Sequence, residues 1–359
     1  MSKKNLLIVA ALLVIIAVFV QLYSKKSKRS GDSPVGDVLA SAELADTSDE
    51  IVIEKNKTAI HLKKNGDEWV ITEKNDFPVD TQKLISLLEI VTSSRIAALV
   101  SKDKSRLAHF NLLTKTEPGN DDETTGTTLA FKSKGKTLFS MVAGRNRDSA
   151  STNSKRPSRP DGTYIRMGLK EVVYLVKENL SFETNADEWM RTVLLSVDEV
   201  QVKSVRFESP VSRFLLTRED SKAPLKPADI SGSEQTDTET VERILEELKS
   251  FKIENAYLKN SAREDDLKLN SEIAVTAFDG SHFNFQILVK TEKSGLTKGD
   301  DKEKKTYFAK VLTAASNAKA SDWQLIDNLG KRWLFKLDSW QAETWLKTRK
   351  DFLKSKAKP

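Results

Sequence analysis

Cysteine is missing from all 359 residues. That excludes disulfides, thiolate zinc sites, a cysteine nucleophile and a lipid-modified cysteine anchor. Histidine is nearly as scarce, with His61, His109 and His282 alone in the sequence. None stands in an HxH, HExxH or HxxxH pattern, so a metal site would need unrelated loops to converge. Each reads as a surface or half-buried structural side chain. A G-x-S-x-G nucleophile elbow and a Walker loop are also missing, and Gly66, Gly135 and Gly280 stand as isolated turns rather than phosphate cradles. ATP hydrolysis and dinucleotide binding find no support, and neither a cofactor nor a metal is expected.

Charge of one sign is scarce once the first residues are set aside. The chain carries 58 Lys and Arg against 52 Asp and Glu, a formal net charge of +6. Residues 1–30 hold six of the basic side chains (Lys3, Lys4, Lys25, Lys26, Lys28, Arg29) and no acid, so residues 31–359 carry 52 of each sign. A formally neutral body makes no broad field for polyphosphates, and nucleic acid is not an expected partner.

Long apolar runs are limited to one. Leu6–Val20 is unbroken for 15 residues, and Gln21 and Leu22 extend it to Tyr23. Eighteen residues at about 1.5 Å each reach roughly 27 Å, enough for a thin bilayer core. Lysines flank both ends, and Tyr23 suits an interface. Residues 1–23 are therefore expected to form a short basic N-terminus and a single transmembrane helix, a single-pass anchor. The alternative is a cleaved signal peptide. Against cleavage stand four basic residues directly after the run, and an Ala40-Ser41-Ala42 triplet lying far beyond it. The positive-inside count leans slightly towards a cytoplasmic soluble part, but long domains translocate largely regardless of such counts. Residues 24–48, polar and small with Pro and Gly, read as a flexible tether.

From Glu50 onward short β-type runs alternate with turn signals. IVIEK, TAIHLKK and EWVIT are separated by Lys55-Asn56-Lys57 and by the hairpin signal Asn65-Gly66-Asp67. Asp80 then reads as the N-cap of an amphipathic helix with Leu84, Leu87, Leu88 and Val91 on one stripe. Further strands follow (IAALV, TTLAFKS, TLFSMVAG, TYIRM, EVVYLVK), with helical segments expected at SRLAHFNL and around Asp187–Leu195.

At an offset of 157 the capped helix recurs in TDTETVERILEEL. Asp80 falls on Asp237, Leu84 on Val241, Leu87 on Ile244, Leu88 on Leu245, Val91 on Leu248 and Ile96 on Ile253. The flanking elements agree in order: Gly280 stands at a hairpin turn as Gly135 does, and Thr306-Tyr307 recurs as Thr163-Tyr164. Each copy ends in a basic segment with Trp, expected to be helical (Trp189, Arg191; Trp345, Lys347, Arg349). The expected fold class is α+β: after the transmembrane helix come two tandem, mostly antiparallel units covered by helices, residues 49–196 and 197–359.

The Gly66-Asp67-Glu68-Trp69 strand, the helix at Asp80, the Tyr164 and Tyr307 strands and the doubled unit resemble a bacterial family. It is an uncharacterised, membrane-anchored family of unknown function, often encoded beside gliding-motility-type ABC transporters. The likeness runs from Glu50 over nearly all the remaining chain. It implies an inner-membrane protein with a periplasmic soluble part and an accessory role in a membrane-protein complex, an ABC transporter, and it brings no catalytic residues.

Acidic groups such as Asp121-Asp122-Glu123, Glu264-Asp265-Asp266 and Asp300-Asp301 lie in polar runs. Acid/base catalysis needs a carboxyl held in a pocket with a raised pKa. The loop GRNRDSASTNSKRPSRPDG concentrates positive charge, and Arg145, Arg147, Arg156 and Arg159 are the candidate partner-binding residues; the plain alternative is a solvated hairpin loop. The corresponding loop of the second unit mixes charges. Four of the six tryptophans fall within residues 323–345 and read as packing between sheet and helix, or else as interface anchors. The expected function is a non-enzymatic envelope scaffold or binding module accessory to an ABC-type transporter. The alternative is an envelope hydrolase or ligand-capture protein for glycan or lipid-linked substrates, acting between the units.

Overall fold

The computed structural model describes residues 34–148, 160–261, 266–293, 303–316 and 321–354. Contacts divide the chain between Arg191 and Thr192. The stretch read as a tether is, from residue 34, part of the first unit. Val38 bridges to Arg95, and Gly36 N–H donates to the Ile96 carbonyl at 2.8 Å. Leu39, Ala40 and Leu44, the last on the short helix α1 (Glu43–Thr47), are buried. These few apolar side chains hold down a segment whose composition is otherwise that of a linker.

Alternating side chains next build a meander of β1 (Glu50–Lys55), β2 (Thr58–Asn65) and β3 (Glu68–Ile71), edged by β4 (Phe77–Pro78). Asn56 and Gly66 take positive φ at its turns. Helix α2 (Thr81–Ser93) starts where Asp80 Oδ1 accepts from the Gln82 and Lys83 N–H groups at 2.9 and 3.3 Å, satisfying two of the donors that every helix start leaves open. It buries Leu84, Leu87 and Val91, while Leu88 is half-buried. Next come β5 (Ile96–Ser101), β6 (Thr127–Ser133), β7 (Lys136–Asp148), β8 (Pro160–Met167) and β9 (Val173–Val176). The sheet order is β4-β3-β2-β1-β6-β7-β8-β9-β5.

In the second unit β10 (Val193–Leu195) pairs with β14 (Phe251–Lys252), after β11 (Val202–Ser209), β12 (Ser212–Thr217), β13 (Lys226–Pro227) and α3 (Thr238–Lys249). The β10–β14 pairing places residues 193–195 in this unit, so the division falls before the expected 196/197 boundary. Then follow β15 (Asn255–Leu258), β16 (Lys268–Ala277), β17 (His282–Lys293), β18 (Glu303–Ala315), α4 (Ser321–Arg332), β19 (Trp333–Leu337) and α5 (Ser339–Trp345). The main sheet runs β13-β12-β11-β16-β17-β18-β19-β15. Seven strands of each unit thus share one order: β2-β1-β6-β7-β8-β9-β5 in the first, β12-β11-β16-β17-β18-β19-β15 in the second.

The expected class needs correction. The fold is mostly antiparallel β-sheet, with every strand pairing in both main sheets antiparallel. Helix is scarcer than an α+β reading requires. SRLAHFNL makes only single 3₁₀ turns at Lys104–Arg106 and Ala108–Phe110, stopped by Asn111 in the left-handed region. The helix expected around Asp187–Leu195 is one 3₁₀ turn, Ala186–Trp189, that gives way to extended β10; the β-branched Thr192 and Val193 favour that change. No helix among the described residues is long and apolar enough to cross a membrane. The span expected over residues 6–23 lies outside the described residues.

The C-terminal segment is fastened by charge. Arg349 forks between Asp229 and Glu234, with Nε 2.8 Å from Asp229 Oδ2, and Nη1 and Nη2 at 3.0 and 2.8 Å from the Glu234 oxygens. The Arg349 hydrogen bonds, aided by the Ser231 N–H, hold the Glu234 carboxyl at about 2, against an ordinary 4.5. A carboxyl depressed in the fold stabilises it above the ordinary value and loses that contribution as pH falls through the folded one. Glu234→Gln should therefore lower the denaturant midpoint of the second unit above pH 4.5, with the difference from wild type closing as pH approaches 2. A difference independent of pH would refute the assignment.

Candidate functional site

Strand β7 is irregular where it passes the loop before β6. Ala143 pairs with Ile165, but the next pairs are Asn146 with Thr163 and Asp148 with Pro160. Two residues, Gly144 and Arg145, thus oppose one on β8, which is a β-bulge. Bulges break the alternation of a strand and re-aim its side chains. The loop backbone lies hard against this point. A Cβ on Gly144 would meet the Phe110 carbonyl oxygen at 2.1 Å, and one on Gly126 would meet that of Asn111 at 2.5 Å. The two glycines let main chain pack on main chain with no side chain between.

The loop itself is well fastened. Arg166, only 2% exposed, donates to the Glu117 carboxylate at 2.7 Å and to the carbonyls of Leu112, Leu169 and Lys170. Burial pushes the Glu117 carboxyl up, but Arg166 and the Thr114 N–H and hydroxyl outweigh it and hold it below the ordinary range. Asn56 donates to Asp122 at 2.6 Å, Lys115 pairs with Glu54 at 2.6 Å, and Leu113 bridges to Thr125.

Between loop and bulge opens a groove of about 260 Å³ whose lining includes Lys55, Asn111, Thr125, Arg145, Asn146 and Ser181. Two of its lining residues are cationic and none is acidic. Arg145 lies over the Phe110 and Tyr164 rings, 5.6 Å from each centroid, with Nη2 3.0 Å from His109 Nε2. It has no carboxylate partner among the described residues, and neither has Lys55. The Thr163 hydroxyl accepts from the Leu180 N–H at 2.8 Å and lies 3.0 Å from Asn146 Oδ1. The Thr125 hydroxyl is buried with no hydrogen-bond partner among the described residues.

Of the four arginines singled out in the sequence, Arg145 lines this groove. Arg147 of the arginine-rich loop is held by Asp161, with Nη2 to Oδ2 at 2.7 Å. Arg156 and Arg159 lie outside the described residues. His61 pairs with Glu73 at 2.6 Å, and among the described residues no group of three or more His, Asp or Glu side chains is placed to hold a metal. Asp121 organises its own turn: the Thr124 hydroxyl and N–H hydrogen bonds hold its carboxyl low. Glu264, Asp265, Asp300 and Asp301 fall outside the described residues. Burial raises the Glu247 carboxyl, with Gln341 and Lys252 pulling the other way. Trp189, Trp323, Trp333 and Trp345 are buried, Trp69 is half-buried, and Trp340 is 64% exposed. Sequence reasoning missed Lys55, Asn111 and Thr125. Gly126 and Gly144, neither at a turn, were the signal available for them.

Fold and groove define a two-unit antiparallel β protein with a polar, cation-bearing groove beside a strand bulge. Residues 69–272 match the family described as a domain of unknown function, DUF4340, and the chain belongs to that family. Comparison with curated proteins and with solved structures gives no match.

Gly144→Ala should destabilise the first unit by about 1–3 kcal/mol, since a methyl there presses on a carbonyl oxygen and not on a flexible side chain. Urea denaturation followed through the first unit's fluorescence would check this; a neutral outcome would mean that the approach is looser than described.

Proposed function

We propose that this chain is a non-enzymatic binding module, a scaffold in a bacterial envelope complex and accessory to an ABC-type transporter. The observation that carries the reading is a two-stranded ribbon extending past the sheet in each unit. In the first, the β6 pairing of β7 ends at Ala143; Asn146 still lies level with β9, since its partner Thr163 pairs with Val176, and the Asp148–Pro160 pair reaches past the sheet. In the second, the β16 pairing of β17 ends at Val289, and Lys290–Lys293 pair with residues 303–306 of β18. A ribbon without a third strand buries little apolar surface and is marginal by itself. Its open edges suit strand addition, and its charged side chains suit docking to a partner.

The near balance of acids and bases after residue 30 favours a mixed-charge protein surface over nucleic acid. The envelope location and the transporter come from the resemblance carried by Gly66–Trp69, Asp80, Tyr164 and Tyr307. The chain should co-purify with transporter subunits after mild detergent extraction. Recovery as a lone monomer under several gentle conditions would sink the reading. Replacing Arg145, Arg147, Arg156 and Arg159 together with Ser should cut partner recovery severalfold; unchanged yields would remove the first ribbon from the interface.

A further inference from the structure

We infer that the groove beside the β7 bulge is a binding site for a single oxyanion head, a phosphate or carboxylate group, held by Lys55 and Arg145 over Thr125. Three independent features converge there. The first is charge: Lys55 and Arg145 are the charged lining residues, and neither has a carboxylate partner among the described residues. Nearby, Lys115 is paired with Glu54, Arg166 with Glu117 and Arg147 with Asp161, whereas Arg106 of the loop, like Arg145, lies over the Phe110 ring. Arg145 rests on two aromatic rings and a histidine nitrogen, which fix its position without neutralising it.

The second feature is an unused hydroxyl. Thr125 is 1% exposed, it lines the groove, and its Oγ1 has no partner among the described residues. A buried hydroxyl without a hydrogen bond costs free energy. The oxygen is closed to solvent as it stands, and a turn of the side chain toward the groove would give its proton to an anion oxygen there. Asn146 adds a donor: its Oδ1 is turned to the Thr163 hydroxyl, and its amide NH₂ has no partner among the described residues. The third is construction. The bulge, Gly126 and Gly144 together hold the loop backbone against β7, so donors from β1, the loop and β7 meet on a rigid frame. Arginine and lysine on such a frame recognise oxyanions through charge-assisted hydrogen bonds.

The site concerns the isolated chain and needs no partner complex, so it stands or falls apart from the scaffold reading. Isothermal titration of the full-length chain in low salt, with inorganic phosphate in one arm and acetate in the other, tests it. Saturable binding of phosphate alone assigns a phosphate-bearing ligand, and of acetate alone a carboxylate-bearing one. Lys55→Gln and Arg145→Gln should each weaken binding about tenfold, as loss of one charge-assisted hydrogen bond does. Thr125→Val should weaken it by a smaller factor, and Lys249→Gln in the second unit should leave it unchanged. Should Arg145→Gln loosen the ribbon, Lys55→Gln, at a strand end, keeps the test decisive. No saturable binding in either arm overturns the inference. Binding that survives Lys55→Gln, or that falls equally with Lys249→Gln, overturns it as well.

Discussion

One long-range strand pairing underlies each unit. In the first, β1 lies against β6, with Ile51 opposite Phe131 and Ile53 opposite Leu129, all four fully buried. In the second, β11 lies against β16, with Val205 opposite Val275 and Phe207 opposite Ile273. These pairs join an outward meander of early strands to an inward meander of late ones. After β4 in the first unit and β13 in the second, the chain must leave the sheet and return at its far edge, as α2 and β5 do in the first unit, and α3 and β15 in the second. Loop-closure entropy grows only slowly with length, so the long excursion is affordable once the buried face is complete. Contacts of such sequence separation also make folding slow relative to a local fold of the same size.

The same constraint produces the groove. Because β7 has β6 on one side and β8 on the other, the loop leading into β6 must cross the end of β7. Leu107, Phe110 and Leu112 from that loop pack with Val142 and Val173, which draws the loop backbone down until only glycine fits beneath it. The strand relieves the crowding through a bulge, and the bulge leaves Arg145 lying over the rings of Phe110 and Tyr164. Apolar packing thus sets the position of a charged side chain that stays exposed to water.

Much of the scaffold could be read from local chemistry. Asp80 caps its helix, Gly66, Gly135 and Gly280 take positive φ at hairpin turns, and the stripes beginning at Leu84 and Val241 are buried at the aligned positions. Even Leu88 and its counterpart Leu245 are alike half-buried. These features depend on residues a few positions apart. The errors came where distant contacts decide. Residues 34–48 have linker composition, but Leu39 and Leu44 find a core. Residues 104–110 have helical spacing, yet they make two single turns packed by Leu107 and Phe110, and Asn111 stops the second. The groove was invisible for the same reason, since it joins Lys55, Thr125 and Arg145 from separate segments. The arginine-rich loop drew notice to Arg145 for its charge, whereas its place in the fold comes from the neutral Gly144 beside it.

The duplication sharpens what is particular to the first unit. The pair Ala130 and Ser140 in one sheet corresponds to Ala274 and Asn284 in the other. Counting on from there, Gly144 of β7 falls on Leu288 of β17. Leu288 is buried against Phe308 and Leu334, so a side chain fills the space that the first unit keeps clear for the incoming loop. A leucine at that position leaves no room for main chain to pack on main chain. The strand order is common to both units, but the close backbone approach is not, and the groove depends on the approach. A shared scaffold therefore presents a polar, cationic groove in one unit and closed apolar packing in the other, and the difference turns on whether a strand carries glycine or leucine at one crossing point.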